Sequence, residues 1–199
     1  MIVLALATAA YVIGMFPSAA MVARSRGIDI TTQGSGNPGA SNVSRVLGWK
    51  FGVLVFALDA AKGAIAAGAT WAIDGRATAY ICVAAAALGH MFPVMRRFGS
   101  NRFVGGKGVA TVGGAMFVLE PIVSSVLLVV WFAVSRLTKK ASLASIVIVP
   151  LLPLGAALLG TPGWEIGAMI ALGALVMVKH TSNIKRLIRR EELSLGKNH

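Results

Sequence analysis

The sequence predicts an all-α protein, a polytopic membrane helix bundle of seven transmembrane segments with the N-terminus outside and the C-terminus cytoplasmic. Three observations carry this prediction. Hydrophobic residues make up 56% of the chain and charged residues only 13%, with mean hydropathy +0.77, whereas a typical soluble domain is about 25% charged. The apolar residues fall in long runs, and a bilayer core needs about 20 of them per helix. The formal charge is +12, and its cations are gathered in the polar stretches between those runs. No polar stretch is long enough for a soluble domain, so residues 1–199 are expected to form a single membrane domain.

Apolar segments occupy about 2–23, 50–73, 77–95, 109–135, 142–160 and 163–178. The first lacks a basic leader and continues past Pro17 to Arg24, so it is expected to be a retained span and not a signal peptide. The lone Cys82 lies within the third run and reads as a small core or lipid-facing residue. The fourth run is the decisive one. Basic residues lie at Arg24, Arg26, Arg45 and Lys50, at Arg96, Arg97, Arg102 and Lys107, at Arg136, Lys139 and Lys140, and at Lys179, Lys185, Arg186, Arg189, Arg190 and Lys197. A single crossing by 109–135 would place the third group opposite the second. Two short crossings place all four groups on the cytoplasmic side, as the positive-inside rule requires. Glu120-Pro121 is the expected fold-back. Proline removes the amide that helix continuation needs, and a glutamate belongs near water rather than at the bilayer centre.

Cations divided among four membrane-separated stretches, without interleaved aromatics, do not suit nucleic acid. Three stretches instead have the chemistry of anion binding. The first is Gly34-Ser35-Gly36-Asn37-Pro38-Gly39-Ala40-Ser41-Asn42, followed by Arg45. The second runs from Gly89-His90 through Pro93 to Gly105-Gly106-Lys107-Gly108 and Thr111. The third is His180-Thr181-Ser182-Asn183-Ile184-Lys185-Arg186. Glycines admit backbone amides close to an anion, lysine and arginine add charge, and a helix beginning near Val109 would present free amides to an anion. The spacing is not that of a Walker A loop. His90 reads as structural. No metal site or cofactor is expected, because the two motif histidines lack carboxylates close by in sequence. Asp59 and Lys62 share one helix face and are expected to pair and brace the first loop.

Taken together these residues resemble the bacterial acyl-phosphate:glycerol-3-phosphate acyltransferases. The resemblance runs through 34–42 with Arg45, Leu58-Asp59 with Lys62-Gly63, Gly89-His90 with Pro93, 105–111, Ser142-Leu143-Ala144-Ser145, and His180 with Asn183, Arg186 and Glu192. The chain has Thr181 and Arg190 where that family usually has Arg and Gly. The His-x₄-Asp motif of thioester-dependent acyltransferases is absent. The resemblance implies a bacterial inner-membrane enzyme with its active site on the cytoplasmic face. It implies acyl transfer from acyl phosphate to the 1-hydroxyl of glycerol 3-phosphate, giving lysophosphatidic acid and inorganic phosphate. Its partners would be these substrates and membrane lipids, without nucleic acid, and a monomer is the working assembly. Lys107, His180, Ser35 and Asn183 are the expected catalytic residues. Gly34, Gly36, Asn37, Asn42, Arg45, Gly105, Gly106, Gly108, Thr111 and Ser142 are the expected substrate-binding residues. Either His180 or a phosphate oxygen of the donor could take the hydroxyl proton. The rival class is a transporter of a phosphorylated solute, which would place its determinants near the bilayer midplane.

Overall fold

The computed structural model describes residues 1–94 and 105–195. The expected cytoplasmic cations Arg96, Arg97, Arg102 and Lys197 lie outside the described residues. Regular structure among the described residues is entirely helical. The chain divides into two compact units, one containing Met1–Leu119 and the other Glu120–Leu195.

In the first unit, α1 (Ile2–Gly14) and α2 (Ser18–Arg24) are separated by a bend at 15–17. The sequence suggested one unbroken helix here, but Pro17 has no amide to continue the ladder. Together they still form a 23-residue apolar stretch. A loop then leads to α3 (Ala40–Leu47), which ends at Gly48 with φ 98. The loop and α3 enclose a small core of Ile30 and Val43 against Ala19, Ala23 and Val55.

The next element, α4 (Trp49–Met91), has 43 residues. As a straight rod it would be about 64 Å long, roughly twice a bilayer core. It is a hairpin of two arms. Asp74 and Gly75 leave helical geometry, with Gly75 at φ 85. Lys62 Nζ lies 3.3 Å from His90 Nδ1, although 28 helical residues would separate them by about 42 Å. A turn at Asp74-Gly75-Arg76, in the gap between the apolar runs 50–73 and 77–95, is therefore present. Thr78 closes it by donating to Asp74 Oδ2 at 2.7 Å.

Helices in this unit pack backbone to backbone. A side chain at Gly14 would collide with the Ala86 carbonyl, and one at Gly89 with that of Tyr11, so α1 lies directly on the second arm of α4. On the first arm, Gly63 faces the Thr111 carbonyl of α5 (Val109–Leu119) and Gly114 faces that of Ala60. Such small-residue contacts let membrane helices gain dispersion and hydrogen-bond energy where lipid supplies no hydrophobic drive.

The run 109–135 does break at Glu120, which has φ −134 and ψ 65 and precedes Pro121. The division is uneven. The 11 residues of α5 make a short apolar helix, whereas α6 (Pro121–Thr138) has 18 and is long enough to span. The expectation of two halves of similar, short length fails because α6 continues past Arg136 to a left-handed Lys139.

In the second unit, α6 is followed by α7 (Ala141–Leu158), α8 (Gly163–Lys179) and the short α9 (Thr181–Ile188). Trp131 Nε1 donates to Ser145 Oγ at 3.1 Å, joining α6 to α7. Thr161 donates to Glu120 at 3.3 Å. The tail returns to the α6–α7 turn, where the Leu195 amide donates to the Lys139 carbonyl at 2.6 Å. Among the described residues, four stretches are long and apolar enough to cross a membrane: Ile2–Arg24, Trp49–Met91, Pro121–Thr138 and Ala141–Leu158.

Candidate active site

The 34–42 loop is organised by one side chain. Asn42 is buried, and its Oδ1 accepts the Ser35 amide at 2.8 Å and an Arg45 guanidinium N–H at 3.3 Å. Its Nδ2 donates to the carbonyls of Gln33 at 2.9 Å and Ile30 at 3.3 Å. These four bonds use the full capacity of the amide. Asn42, expected to bind substrate, is thus committed to the loop itself. Gly34 is required beside it, because its φ is +57 and a Cβ would collide with Asn42 Oδ1. Ser35 is exposed, and Gly36 and Asn37 are half-buried. Arg45, also half-buried, is tethered one helical turn from Asn42. Upstream, Asp29 accepts the Thr31 amide at 2.9 Å and its hydroxyl at 2.8 Å. Those two bonds, the amide first, hold its carboxyl below the usual range.

The 105–108 segment lies on the end of α4. The Gly106 amide donates to the His90 carbonyl at 3.1 Å. A Cβ on Gly105 would strike the Met91 carbonyl, and one on Gly106 would strike the His90 ring. Lys107 is half-buried and emerges between these buried glycines. Gly108, at φ +82, turns the chain into α5. Thr111, one turn further, is fully buried with its carbonyl against Gly63. Among the described residues its hydroxyl has no partner, so the side chain lies within helix packing and not on an open surface.

Beneath this loop is a charged cluster that the sequence suggested only in part. Lys62 Nζ contacts Asp59 Oδ1 at 2.6 Å, donates to the Phe16 carbonyl at 2.8 Å and meets His90 Nδ1 at 3.3 Å. Asp59, Lys62 and His90 are all buried. The expected Asp59–Lys62 pair exists. It braces the α1–α2 bend and the end of α4. At the bend the Phe16 carbonyl leaves the helical ladder and accepts both the Ser18 amide, at 3.0 Å, and the ammonium. His90 also has a carboxylate 3.8 Å away after all; hairpin folding, not sequence spacing, brings it there. Among the described residues no three His, Cys, Asp or Glu side chains gather as a metal site.

The second unit contributes a different cluster. Glu192 Oε1 accepts from Ser142 Oγ at 2.7 Å and Asn183 Nδ2 at 2.6 Å, and Oε2 accepts from Arg186 Nε at 2.8 Å. Burial alone would raise this carboxyl. The three donors Ser142, Asn183 and Arg186 outweigh burial and hold it below the usual range. Glu192 thereby ties the tail and α9 to the start of α7. Ser142 and Asn183, expected at substrate, both spend a bond on it. In the sequence Glu192 was marked only by the family resemblance.

His180 occupies the break between α8 and α9 and is buried. Its Nδ1 lies 2.8 Å from the Val176 carbonyl. A carbonyl can only accept, so Nδ1 carries the proton and the neutral ring presents Nε2 as its basic nitrogen. Thr181 is exposed and bonds back to Val178 at 2.7 Å. Arg190 has φ 60, a left-handed conformation that costs a non-glycine residue roughly 1–2 kcal/mol. The glycine that the resemblance expects there would avoid this cost.

A family model described as glycerol-3-phosphate acyltransferase matches residues 4–190. The glycerol-3-phosphate acyltransferase of Aquifex aeolicus (strain VF5) is 39% identical over 186 residues, covering 92% of this chain and 94% of that protein. That of Bacillus velezensis (strain DSM 23117 / BGSC 10A6 / LMG 26770 / FZB42) is 36% identical over 193 residues, covering 96% and 97%. A crystal structure of PlsY (YgiH), an integral membrane glycerol 3-phosphate acyltransferase in its glycerol 3-phosphate form, superposes with TM-score 0.90 at 37% identity. The match covers 98% of this chain and 96% of that one. The same enzyme in a lysophosphatidic acid form gives TM-score 0.88, covering 98% and 95%. Covered nearly end to end in both sequence and fold, the chain belongs to the glycerol-3-phosphate acyltransferase family of integral membrane proteins.

Proposed function

We propose that the chain, read as one membrane enzyme over residues 1–199, acylates the 1-hydroxyl of glycerol 3-phosphate with acyl phosphate. The products are lysophosphatidic acid and inorganic phosphate. The observation that carries this reading is the near-complete match to PlsY structures in glycerol 3-phosphate and lysophosphatidic acid forms. The acyl-phosphate donor is supported by two cationic glycine segments, one for each phosphate-bearing substrate, and by the lack of a His-x₄-Asp motif.

The hydroxyl oxygen attacks the acyl carbonyl carbon, the bond from that carbon to the phosphate oxygen breaks, and phosphate leaves. Acyl phosphate is a mixed anhydride with a good leaving group, so positioning and charge stabilisation do most of the catalysis. Lys107 and the amides of Gly105 and Gly108 hold the leaving phosphate, while the Gly106 amide, expected to join them, is spent on the His90 carbonyl. Ser35 and Asn37 donate further bonds, and Gly34 and Gly36 shape their loop. Arg45, with Asn183, serves the phosphate or hydroxyl of glycerol 3-phosphate. Asn42, Thr111 and Ser142 act through the segments they hold. The hydroxyl proton goes to His180 Nε2, the nitrogen left basic by the Val176 bond, or to a phosphate oxygen of the donor. His180→Ala with near-normal turnover at saturating substrates assigns it to the donor.

Purified protein given labelled glycerol 3-phosphate and one of acyl phosphate, acyl-CoA or acyl carrier protein tests the reading. Lysophosphatidic acid is expected with acyl phosphate alone. Product with a thioester and none with acyl phosphate overturns the donor assignment, and no product with any donor returns the transporter reading.

A further inference from the structure

We propose that α9 and the tail that follows it form an in-plane docking surface for anionic phospholipid headgroups. The proposal is independent of the acyl donor and of which segment holds which substrate phosphate.

The surface follows from how α9 uses its three faces. Asn183 and Arg186, one turn apart, point inward and are held by Glu192. Ile184, Leu187 and Ile188 have the i, i+3, i+4 spacing of one apolar stripe. Ile188 is 77% exposed, so packing within the chain leaves the outer part of that stripe uncovered. Lys185 and Arg189, at i and i+4, border the stripe on its other side and are also exposed. A stripe bordered by cations suits the boundary of a bilayer. There the aliphatic residues enter the acyl region, and the longer cationic stems reach back to headgroup phosphates. His180 both closes α8 and opens α9, so α9 lies where the proposed topology brings α8 out of the bilayer.

The tail carries the surface onward. The Leu195 amide bonds the Lys139 carbonyl, which brings the tail to the α6–α7 turn. At that turn Leu137 is 85% exposed, with exposed Arg136 and Lys139 beside it. Lys185, Arg189, Arg190, Arg136 and Lys139 are thus five exposed cations. Among the described residues none of the five pairs with a carboxylate. Glu192 is occupied by its clasp, which leaves Glu191 as the one exposed acid of 189–195. A surface of this charge favours anionic over zwitterionic headgroups. Arg190 adds a separate sign. It keeps a cation at φ 60, where glycine would be unstrained. A charge that only marked the cytoplasmic side could sit on a neighbouring residue without strain.

The test uses the full-length protein in vesicles of phosphatidylcholine with about one-quarter phosphatidylglycerol. The immobilised fraction of spin-labelled phosphatidylglycerol is compared with that of spin-labelled phosphatidylcholine. The parent should prefer phosphatidylglycerol. A triple variant, Lys185→Gln with Arg189→Gln and Arg190→Gln, should lose about half or more of that preference. Arg24→Gln with Arg26→Gln and Lys50→Gln removes as many exposed cations from the first unit and should lose clearly less. Ile188→Ser should weaken the preference without changing charge, because the stripe no longer seats the cations. Arg190→Gly should lower the preference while raising the unfolding midpoint in detergent by about 2–4 °C, since it removes strain. Every changed residue is exposed, and elution as a single species in detergent checks each fold. Equal loss from the two triple variants would reduce the effect to net charge and overturn the proposal. Full preference in Ile188→Ser or Arg190→Gly, or no preference in the parent, overturns it as well. If Ile188→Ser instead changes the oligomeric state on sedimentation, the stripe belongs to a contact with a second copy of the chain and the lipid assignment falls.

Discussion

Individual residues in this protein do their work by satisfying orphaned backbone groups and buried charges. Lys62 and Arg76 stand outside the four basic stretches, and each is spent on a carbonyl where a helix breaks: Phe16 for Lys62 and Leu119 for Arg76. Glu192 is the acidic counterpart, collecting three donors from α7 and α9. Its folded pKa is depressed, so its contribution to stability is complete above the ordinary glutamate pKa of about 4.3 and is lost as pH falls through the folded value. Glu192→Gln should lower stability at pH 7 by about 1.5–3 kcal/mol, the usual worth of hydrogen bonds to a charged group. The gap between variant and parent should hold down to about pH 4.3 and close only below it, as pH falls through the depressed folded value. Thermal unfolding in detergent across pH checks both statements, and a pH-independent gap would refute the ionised clasp. The sequence singled out Ser142 and Asn183 but could not show that they share a carboxylate, since Ser142 and Glu192 are 50 positions apart.

At the scale of elements, breaks matter more than lengths. Pro17, Asp74-Gly75 and Glu120-Pro121 each interrupt apolar sequence, and each leaves carbonyls that lipid cannot satisfy. Arg76 answers one such end. Both terminal nitrogens of its guanidinium donate to the Leu119 carbonyl at 3.2 Å, and the group stacks 4.9 Å from the Trp71 ring centre. A planar fork can do both at once, which an ammonium cannot. Arg76→Ala should therefore destabilise the protein by about 1.5–3 kcal/mol, with Arg76→Lys recovering only part of the loss. Unfolding midpoints for the two variants check this, and full recovery by lysine would remove the case for the fork. The breaks at Asp74-Gly75 and Glu120-Pro121 were legible because Asp-Gly turns and proline act locally, whereas the bend at Pro17 was read as continuous helix. Which carbonyl each cation would serve was not legible, since that depends on the hairpin geometry of α4.

For the whole molecule, the proposed topology has seven crossings: α1 with α2, the two arms of α4, α5, α6, α7 and α8. The positive-inside rule is its warrant. It expects a cysteine substituted for Thr138, in a Cys82→Ala background, to resist an impermeant thiol reagent applied to intact cells. Labelling should follow once the inner membrane is opened. Labelling from the periplasmic side of intact cells would invert the second half of the scheme.

The amino-acid sequence determined, by itself, that the protein is helical, membrane-embedded and equipped with two cationic glycine segments, because hydropathy, charge and proline act over short distances along the chain. It also carried the family resemblance, which depends only on the order of motifs. Tertiary structure decided how the polar residues are shared out. Asn42 closes its own loop, Thr111 is sealed in helix packing, Glu192 clasps Ser142 and Asn183, and a buried Asp59–Lys62–His90 cluster lies beneath Gly106. The physical reason is that a buried polar group must find partners wherever the fold provides them. Those partners lie up to 50 residues away in sequence, a distance over which neither spacing nor periodicity carries information.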